Sequence, residues 1–436
     1  MPSEANSLTF IIVGGSIAGL ASAYTLSKAG HRVTVLEKSS APYDHHSGSV
    51  HSPPNMTRIL KEWGLKQWLD EVGVKADGVV FRKGDTGEKI GVLVYHPQIM
   101  EALRADYVFV PYRSLWSTLY DMAVKAGASV RFGANVERLN PDLPSVFTSG
   151  GGELKADFVI GADGRESVTR GFVVDQAPRG VVDTLCGFTL TVPTLSLKAD
   201  PDLAFLTDRP DWNLWLGDRS CIHGYLSMGR QEYILNLILK SSDQRFRQNW
   251  QDRFPPSELN LDLSGYDTRV RKLVGLAEAI TPTKYCHYAA LSNLLHDSGK
   301  VFLVGEAAHT LPPNYNQNAA LCIEDAVTLG ALMSRAKAKD VAFSLASAFE
   351  DIRQLRSAQV SHSEHSRYEM VTLPLGTEKQ KLRDESFRAA LPRALRGWED
   401  ADEEYLREVW EEYIALFNYD AYEAVEDWWT KWGSFL

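Results

Sequence analysis

Short runs of apolar residues alternate with glycine-containing turns in the first part of the chain. Residues 10–13 are continuously apolar, which is typical of a parallel strand buried on both faces. Apolar residues then recur at helical spacing from Ile17 to Tyr24, and Gly30 follows where a left-handed C-cap residue is expected. Residues 33–36 form a second apolar run. The pattern predicts a β-α-β unit with a right-handed connection.

Two later apolar runs have the same pattern. Residues 158–160 lead into the sequence GADG, which starts at Gly161, and residues 301–304 lead into GEAAH, which starts at Gly305. Residues 319–334 then have helical spacing. We therefore predict further strands that end in a glycine turn with a carboxylate close by.

The middle and the end of the chain have different patterns. Between residues 184 and 239, short β-rich runs separated by turn residues favour a mostly antiparallel sheet. From about residue 341 onward the pattern is helical. We predict an α/β fold with an inserted β-sheet domain and a helical C-terminal region. The predicted boundaries are 1–75, 111–180 and 286–340 for the α/β domain, 76–110 and 181–285 for the inserted sheet, and 341–436 for the helices.

Composition and charge exclude several classes of protein. The 436 residues are enough for two or three domains with substantial cores. A formal net charge of −10 argues against a nucleic-acid partner or an anionic membrane surface. No apolar run approaches the ~18 residues of a membrane span, and residues 1–7 lack the pattern of a signal peptide. We therefore expect a cytoplasmic protein.

Neither the cysteines nor the histidines form a metal-binding motif. Without a C-x-x-C pair, the cysteines are expected to be reduced core thiols of an intracellular protein. The histidine clusters lack matching carboxylates or cysteines, and one of them fits a solvated helix face, so no metal site is predicted. The residues concerned are Cys186, Cys221, Cys286 and Cys322, the loop cluster His45, His46 and His51, and the helical pair His362 and His365.

The sequence GGSIAG at residues 14–19 allows two interpretations. It nearly matches the G-x-S-x-G elbow of hydrolases, with Ser16 as a nucleophile, and also the G-x-G-x-x-G turn of dinucleotide folds. Glu37 follows the second strand, where a dinucleotide fold needs an acid for the ribose hydroxyls. Nothing in the sequence singles out a histidine partner for Ser16. The dinucleotide interpretation is favoured, and a glycine turn without a ligand stays open.

Several longer motifs resemble one known family. Residues 157–170 read DFVIGADGRESVTR, and residues 304–326 read VGEAAHTLPPNYNQNAALCIEDA. Both are similar to flavin motifs of the aromatic hydroxylases of the p-hydroxybenzoate hydroxylase type. PPNMTRILKEWGL at residues 53–65, Tyr112-Arg113, and NYDAYEAVEDWW at residues 418–429 resemble the branch found in fungal natural-product pathways. The resemblance spans nearly the whole chain and implies a Rossmann-like FAD-binding domain.

The resemblance also implies which residues hold FAD. The glycine turn would approach the pyrophosphate, the acid after the second strand the adenosine ribose, and the third motif the ribityl chain. The helix that starts near Ala319 would direct its N-terminal N–H groups at the flavin C2 carbonyl. Asp163 and Gly164 would lie near FAD and the approach of NADPH, and Arg113 near the flavin phosphate or ribityl chain. The expected FAD-binding residues are Gly14, Ser16, Ile17, Ala18, Gly19, Glu37, Lys38, Arg113, Asp163, Gly164, Gly305, Glu306 and Ala319.

The activity that the resemblance implies is oxygen transfer to a small molecule. In this family NADPH reduces the flavin, molecular oxygen adds to give a hydroperoxide, and the distal oxygen passes to an electron-rich substrate. We expect hydroxylation or epoxidation of a bulky, largely apolar aromatic or alkaloid-like compound. The inserted sheet would supply the pocket, although an ordinary core role stays open for each candidate wall residue. These candidates are Trp215, His223 and Tyr225.

The chain departs from the family pattern near the flavin. Glu306 stands where the family has Asp, and Asn316 and Asn318 stand where it has glycines. Asparagine tolerates a positive φ, so we expect the backbone path to survive. Phe188 and Thr189 occupy the place where many members have an arginine over the flavin. No catalytic acid is therefore assigned.

These departures keep two other functions open. One is a redox-neutral cyclisation or isomerisation on a repurposed flavoprotein fold, and the other is binding without catalysis. His309 belongs to the third motif and is expected to support it rather than to act as a base. The favoured hypothesis is an FAD- and NADPH-dependent monooxygenase.

Overall fold

The computed structural model describes residues 7–42, 48–174, 180–243, 245–246, 252–311, 315–336 and 338–436, except for the side chain of His287. Within this part of the chain the strands form four sheets, of five, three, seven and three strands. The five-stranded and seven-stranded sheets are called the parallel sheet and the large sheet below. Together with the C-terminal helices they give the α/β architecture that the sequence predicts.

The parallel sheet is buried on both faces. Successive side chains of its central strand alternate between two apolar clusters, which is why this strand is continuously apolar. Its neighbours run parallel to it, so that Val13 lies level with both Gly161 and Leu36. The glycine turns that follow these strands therefore meet at one end of the sheet. In spatial order the strands are Val301–Leu303, Phe158–Gly161, Thr9–Val13, Arg32–Leu36 and Ser129–Arg131.

Helices cover the parallel sheet. The first, Ile17–Lys28, begins directly after a glycine turn, and Ser16 caps it by accepting a hydrogen bond from Gly19 N at 3.3 Å. It packs along Asn318–Met333, where the Thr25 hydroxyl donates to a backbone oxygen of that helix at 2.7 Å. This contact fixes the glycine turn relative to the start of the second helix.

The large sheet is mostly antiparallel, as predicted. In the described residues its one parallel pair joins Asp211–Gly217 to Gly78–Lys83. One face packs on an apolar cluster that contains Phe188 and Trp215, and the other face is turned toward the C-terminal helices. In spatial order the strands are Ile280–His287, Val181–Pro193, Glu232–Lys240, Ser220–Ser227, Asp211–Gly217, Gly78–Lys83 and Lys89–Val94.

Two small sheets complete the strands of the described residues. One of them lies between the helix Asn318–Met333 and the large sheet, and contacts both. Its strands are Ser49–Ser52, Val108–Pro111 and Val74–Lys75. The other consists of Glu153–Lys155, Ser145–Thr148 and Val136–Asn140.

Buried charges tie the helix Lys339–Val371 to the rest of the chain. Arg353, which is fully buried, donates to Asp325 Oδ1 at 2.7 Å and to Glu324 Oε2 at 3.1 Å. Arg356 donates to the two oxygens of Glu324 at 3.1 and 3.0 Å. Two guanidinium groups thus neutralise two carboxylates, as buried charges require. These four residues are called the ion network below.

The remaining α-helices surround the two main sheets. Among the described residues, no helix has the length and apolar character needed to cross a membrane. All four cysteines are buried and none is in a disulfide. These remaining helices are Pro54–Glu62, Lys66–Val72, Pro97–Ala102, Tyr112–Lys125, Arg170–Val173, Thr194–Ala199, Thr268–Gly275, Glu378–Ala394, Glu403–Phe417 and Ala421–Trp432.

Candidate active site

A row of cavities runs from the glycine turns of the parallel sheet to the large sheet. The turn cavity is lined by the first glycine turn, Glu37 and Asp163. The central cavity adjoins it and shares Ser16 and Glu306 with it. The sheet cavity adjoins the central cavity at Tyr315 and lies between the large sheet and the C-terminal helices. The row provides an elongated site for a ligand with several different parts.

The first glycine turn is too tight for side chains. Gly14 has a φ of 104°, and a Cβ there would lie 2.5 Å from Ala162 O. A Cβ on Gly19 would lie 2.0 Å from Gly14 O. Ser16 Oγ donates to Ala162 O at 3.0 Å and accepts from Gly19 N. The hydroxyl therefore stabilises the turn, and this geometry does not support Ser16 as a nucleophile.

Glu37 connects the glycine turn to the turn cavity. Its carboxylate is buried, and it accepts hydrogen bonds from Gly15 N at 2.7 Å and from Ser39 N at 2.9 Å. A carboxylate has about four acceptor positions, so it can hold the backbone and still accept from a ligand hydroxyl. The exposed Lys38 lines the same cavity.

The second glycine turn carries an acid that is also engaged. Asp163 accepts from Ser167 Oγ at 2.5 Å and from Thr169 N at 3.0 Å. The neighbouring Gly164 has a φ of 78° and lines both the turn and the central cavities, and a Cβ there would meet no atom within 4 Å. The missing side chain leaves open space where the two cavities meet.

Arg165 is a residue of this turn that the sequence interpretation missed. It lines the turn cavity, and its side chain is 4% exposed. Its Nε and Nη2 donate to Glu306 Oε1 at 3.1 and 2.8 Å, whereas Nη1 has no hydrogen-bond partner among the described residues. A basic residue directly after GADG was the available signal. The unpartnered N–H groups fit an anionic group such as a phosphate.

The third glycine turn is held by buried charges. Gly305 N donates to Asp325 Oδ2 at 2.7 Å, and His309 Nε2 lies 2.7 Å from the same oxygen. Burial raises the pKa of Asp325, but the nearby His309 and Arg353 and the hydrogen bonds lower it below its ordinary value overall. His309 thus supports this turn, in agreement with the expectation from the sequence.

The helix Asn318–Met333 begins at the central cavity. Ala319, in its first turn, lines the cavity, and no side chain caps the helix at Gln317. Its first N–H groups are therefore suited to an electronegative atom. Neither Asn316 nor Asn318 is among the described residues with a positive φ. The backbone at these two asparagines therefore does not use the positive φ that the sequence analysis allowed for.

The two cavities nearest the parallel sheet contain most of the predicted cofactor-binding residues. Gly19 and Gly305 lie behind the cavity walls and allow the turns to close. Arg113 is exposed at the start of its helix and is not among the residues that line the cavities, whereas its neighbour Tyr112 lines two of them. Residues that line the turn or central cavity are Gly14, Ser16, Ile17, Ala18, Glu37, Lys38, Asp163, Gly164, Glu306 and Ala319.

Thr189 lies in the wall of the central cavity. Its hydroxyl donates to Asn236 Oδ1 at 2.9 Å, and Asn236 Nδ2 donates to the Tyr225 hydroxyl at 3.1 Å. This chain of neutral groups includes Thr189, which stands where the resemblance implies an arginine in many members of the family. It supplies hydrogen bonds without a positive charge.

The structure separates the three predicted pocket walls. Tyr225 lines the central cavity and His223 the sheet cavity. Trp215 packs in the apolar cluster on the opposite face of the large sheet and lines none of the three cavities, so it has the core role that the sequence left open. Side chains alternate along a strand, so Trp212 and Leu214 line the sheet cavity instead. The strand register that decides this alternation could not be read from the sequence.

His51 is a second residue that the sequence interpretation missed. It lies in the small-sheet strand Ser49–Ser52 and lines the central cavity, rather than lying in a glycine-serine loop. Its Nδ1 is 2.7 Å from the Tyr107 hydroxyl, and its Nε2 has no hydrogen-bond partner in the part of the chain that the structure describes. Burial, and to a lesser extent His223, lower the pKa of His51 well below its ordinary value. Burial likewise lowers the pKa of His223 to about 4, so both imidazoles are neutral at pH 7.

The other histidines of the sequence analysis form no metal centre in the described residues. His362 is exposed, and His365 Nδ1 contacts the Ser361 backbone oxygen at 2.7 Å. No group of three or more potential ligands occurs in the part of the chain that the structure describes. His45 and His46 lie outside that part.

Comparison with known proteins matches most of the chain to proteins that bind FAD. The FAD binding domain family matches residues 7–363. A FAD-dependent monooxygenase of Beauveria bassiana, OpS4, is 26% identical over 396 residues, covering 87% of this chain and 89% of that protein. The 3-amino-4-hydroxybenzoate 2-monooxygenase PtnB3 of Streptomyces platensis is 26% identical over 382 residues, covering 87% and 92%.

A solved structure shows the same fold. CtdE in complex with FAD and a substrate superposes with a TM-score of 0.80 at 17% identity, covering 98% of this chain and 99% of that one. The tight glycine turns, the open space at Gly164 and the unpartnered Arg165 Nη1 fit a ligand with phosphates and hydroxyls. The match over residues 7–363 therefore assigns the chain to the FAD binding domain family, and within it the chain is an FAD-dependent monooxygenase.

Proposed function

We propose that the enzyme uses NADPH and molecular oxygen to hydroxylate or epoxidise a bulky, largely apolar aromatic or alkaloid-like small molecule. The observation that carries this proposal is the sheet cavity, a pocket between the large sheet and the C-terminal helices whose walls are mainly apolar and aromatic side chains. Such walls, with a few polar groups, are typical of small-molecule sites. Its walls include the rings of Tyr107, Trp212 and Phe417. The cavity meets the central cavity at Tyr315, where a substrate would approach the cofactor.

The turn and central cavities would hold FAD along its length. Gly14, Ser16 and Arg165 would face the pyrophosphate, and Glu37 would accept from the adenosine ribose. The start of the helix at Ala319 would face the flavin ring and stabilise negative charge there. FAD, when bound, supplies the oxygen-transfer chemistry, which in the resembling enzymes proceeds through a flavin hydroperoxide.

The protein's own part is to orient the substrate and to keep water away from the reacting atoms. Buried aromatic rings line the sheet cavity, and the neutral chain of Thr189, Asn236 and Tyr225 lines the central cavity. His51, neutral and with an unpartnered Nε2, is the buried imidazole of the central cavity wall. A substrate hydroxyl at this wall would find a hydrogen-bond acceptor there.

Relatives support the reaction class. The name of the Streptomyces relative denotes oxygenation of an aminohydroxybenzoate. Nothing in the matches favours the redox-neutral cyclisation or isomerisation that the sequence left open.

The test combines NADPH consumption with isotopic labelling. FAD-loaded protein is mixed with NADPH and each of a panel of aromatic compounds under isotopically labelled oxygen. The masses of the products are then measured by mass spectrometry. We expect slow NADPH-dependent oxygen consumption alone, faster consumption with a substrate, and one labelled oxygen atom in the product. Product that forms without label and without NADPH consumption would contradict the proposal.

A further inference from the structure

The sheet cavity contains an unusual concentration of unsatisfied polar atoms. Buried atoms without a hydrogen-bond partner lie around this one cavity on several elements of the fold, in the part of the chain that the structure describes. Native proteins leave only a few buried polar groups unpaired, and each requires an explanation. The atoms are His223 Nδ1, Tyr315 Oη, Glu364 Oε1, Tyr368 Oη, and both Nη1 and Nη2 of Arg367.

Three of these side chains lie on one face of the helix Lys339–Val371. Glu364, Arg367 and Tyr368 are spaced three and four residues apart, which places them side by side on a helix. The guanidinium group of Arg367 lies over the Tyr413 ring, 4.1 Å from the ring centroid, and makes a cation–π contact with it. The opposite wall of the cavity, formed by the large sheet, is mostly apolar and aromatic, with His223 as a polar exception. The polar face therefore lies at one side of a mostly apolar pocket.

The charges around Arg367 disfavour an anionic ligand. Its Nη1 is 3.5 Å from Glu364 Oε1, and its Nη2 is 3.6 Å from Glu412 Oε1. Both carboxylates are within ion-pair distance, but neither makes a hydrogen bond to the guanidinium group. One positive charge thus faces two negative ones. A ligand carboxylate would be repelled by Glu364, whose other oxygen is already occupied by Asn316 N at 2.9 Å.

The unpartnered atoms of this face form a donor beside an acceptor. Arg367 can only donate, and Glu364 Oε1 accepts when the carboxylate is ionised. The N–H and C=O of one cis amide point to the same side of the molecule. Two protein atoms 3.5 Å apart can face both groups at once.

We propose that the sheet cavity recognises its substrate by a neutral lactam or cis-amide edge, with the N–H donating to Glu364 and the carbonyl accepting from Arg367. The Tyr368 and Tyr315 hydroxyls provide further hydrogen bonds at the same end. The apolar aromatic body of the substrate fills the rest of the cavity. This inference rests on the proposed function, and it names the chemical class of that function's substrate.

The test measures binding of matched bicyclic probes to the full-length protein loaded with FAD. The probes are 2-quinolinone, its N-methyl derivative, 2-naphthoate and naphthalene, and affinities come from titration calorimetry. We expect 2-quinolinone to bind about 10-fold or more tightly than the other three, because each of them lacks the N–H donor, the neutral charge or both polar atoms.

Substitutions assign the preference to these side chains. Arg367→Met should weaken binding of 2-quinolinone by about 10–100-fold and leave binding of naphthalene nearly unchanged. Arg388→Met is the matched control, because Arg388 is exposed and pairs with Glu88 away from the cavity. Tyr368→Phe removes one unpartnered hydroxyl without changing the shape of the side chain. It should fold as the wild type does and still lose affinity for 2-quinolinone.

Several results would overturn the inference. They are equal affinity for all probes, tightest binding of 2-naphthoate, no measurable binding of 2-quinolinone, and unchanged 2-quinolinone affinity in Arg367→Met and Tyr368→Phe. The proposed function is refuted separately, by FAD-loaded protein that NADPH does not reduce. A lactam preference without NADPH oxidation would keep the inference about the cavity and refute the proposed use of NADPH.

Discussion

The turn cavity and the sheet cavity use buried polar side chains in opposite ways. In the turn cavity, Glu37 and Asp163 already accept hydrogen bonds from the protein's own N–H and hydroxyl groups. In the sheet cavity, Glu364 Oε1, Tyr368 Oη and the terminal nitrogens of Arg367 have no hydrogen-bond partner among the described residues. The carboxylates of the first cavity are thus held by the protein itself, with Arg165 Nη1 left for a ligand, whereas most of the polar face of the second is left for a ligand.

This difference separates two kinds of ligand. A site whose carboxylates are fixed by the backbone is preorganised, so little ordering is needed when its ligand binds. Such a site suits a cofactor that is the same in every turnover. Unpaired polar atoms instead penalise any ligand that does not match them. The sheet cavity therefore uses its unpaired atoms to select among substrates.

The largest expected effect tests the rigidity of the turn cavity. A Cβ on Gly19 would lie 2.0 Å from Gly14 O, so Gly19→Ala must displace the backbone of the glycine turn. We expect FAD affinity to fall by about 100-fold or more, measured by titration of the apoprotein with FAD. Gly150→Ala is the matched control, since a Cβ there meets no atom within 4 Å. Wild-type FAD affinity in Gly19→Ala would show that the turn is not preorganised.

A smaller effect on FAD affinity is expected at Glu37, the acid that connects the first glycine turn to the turn cavity. Glu37→Ala removes the acceptor of Gly15 N and the acceptor proposed for the ribose. We expect FAD to bind about 1–3 kcal/mol less tightly, the cost of leaving buried donors unpaired. Glu153→Ala, on an exposed strand, should leave FAD binding unchanged. An equal loss of FAD affinity in both variants would mean that removing any negative charge, rather than removing this particular carboxylate, weakens FAD binding.

The smallest expected effect concerns the pH dependence of stability. Burial raises the pKa of Glu364, although Arg367 and the Asn316 N–H partly oppose this. A carboxyl with a raised folded pKa contributes stability that is fully present below its unfolded pKa and is lost as pH rises through the folded pKa. Glu364→Gln should therefore gain stability relative to wild type as the pH rises above the unfolded pKa of this carboxyl, measured by denaturant unfolding.

Asp325 should show the opposite pH dependence of stability in the same unfolding experiment. Its pKa is lowered overall, because His309 and Arg353 outweigh the effect of burial. Its contribution is present above the unfolded pKa and is lost as pH falls through the folded pKa. Asp325→Asn should therefore be least stable relative to wild type at neutral pH, and the difference should shrink in acid. The same pH trend in both variants would contradict the comparison.

Local patterns predicted the parts of the site that depend on short stretches of chain. The apolar run at residues 10–13, the tight turn at Gly14 and the acid Glu37 all lie within one β-α-β unit. Strand ends and helix starts are encoded locally, so their chemistry could be expected from the sequence. The support that His309 gives to its own turn is similarly local.

Residues from separate elements could not be placed in this way. Trp215 and Trp212 differ only in which face of the strand they occupy, and pairing of Leu214 with His223 decides that face. His51 was assigned to a loop because its neighbours are glycine and serine, yet strand pairing with Phe109 buries it. Glu364 and Arg367 belong to a helix whose orientation depends on distant charges. The sequence therefore did not determine how distant strands pair or how this helix packs against the rest of the chain.

The ion network also makes the length of one helical segment important. Arg353 and Arg356 fix the phase of the helix Lys339–Val371 about its own axis, and Glu364 lies only two turns further along. Inserting one residue between Arg356 and Glu364 would rotate everything beyond it by about 100° and shift it by about 1.5 Å. The polar face of the sheet cavity would then point away from the cavity although every side chain was retained. The spacing between anchor and pocket is therefore as much a determinant of selectivity as the identity of the residues.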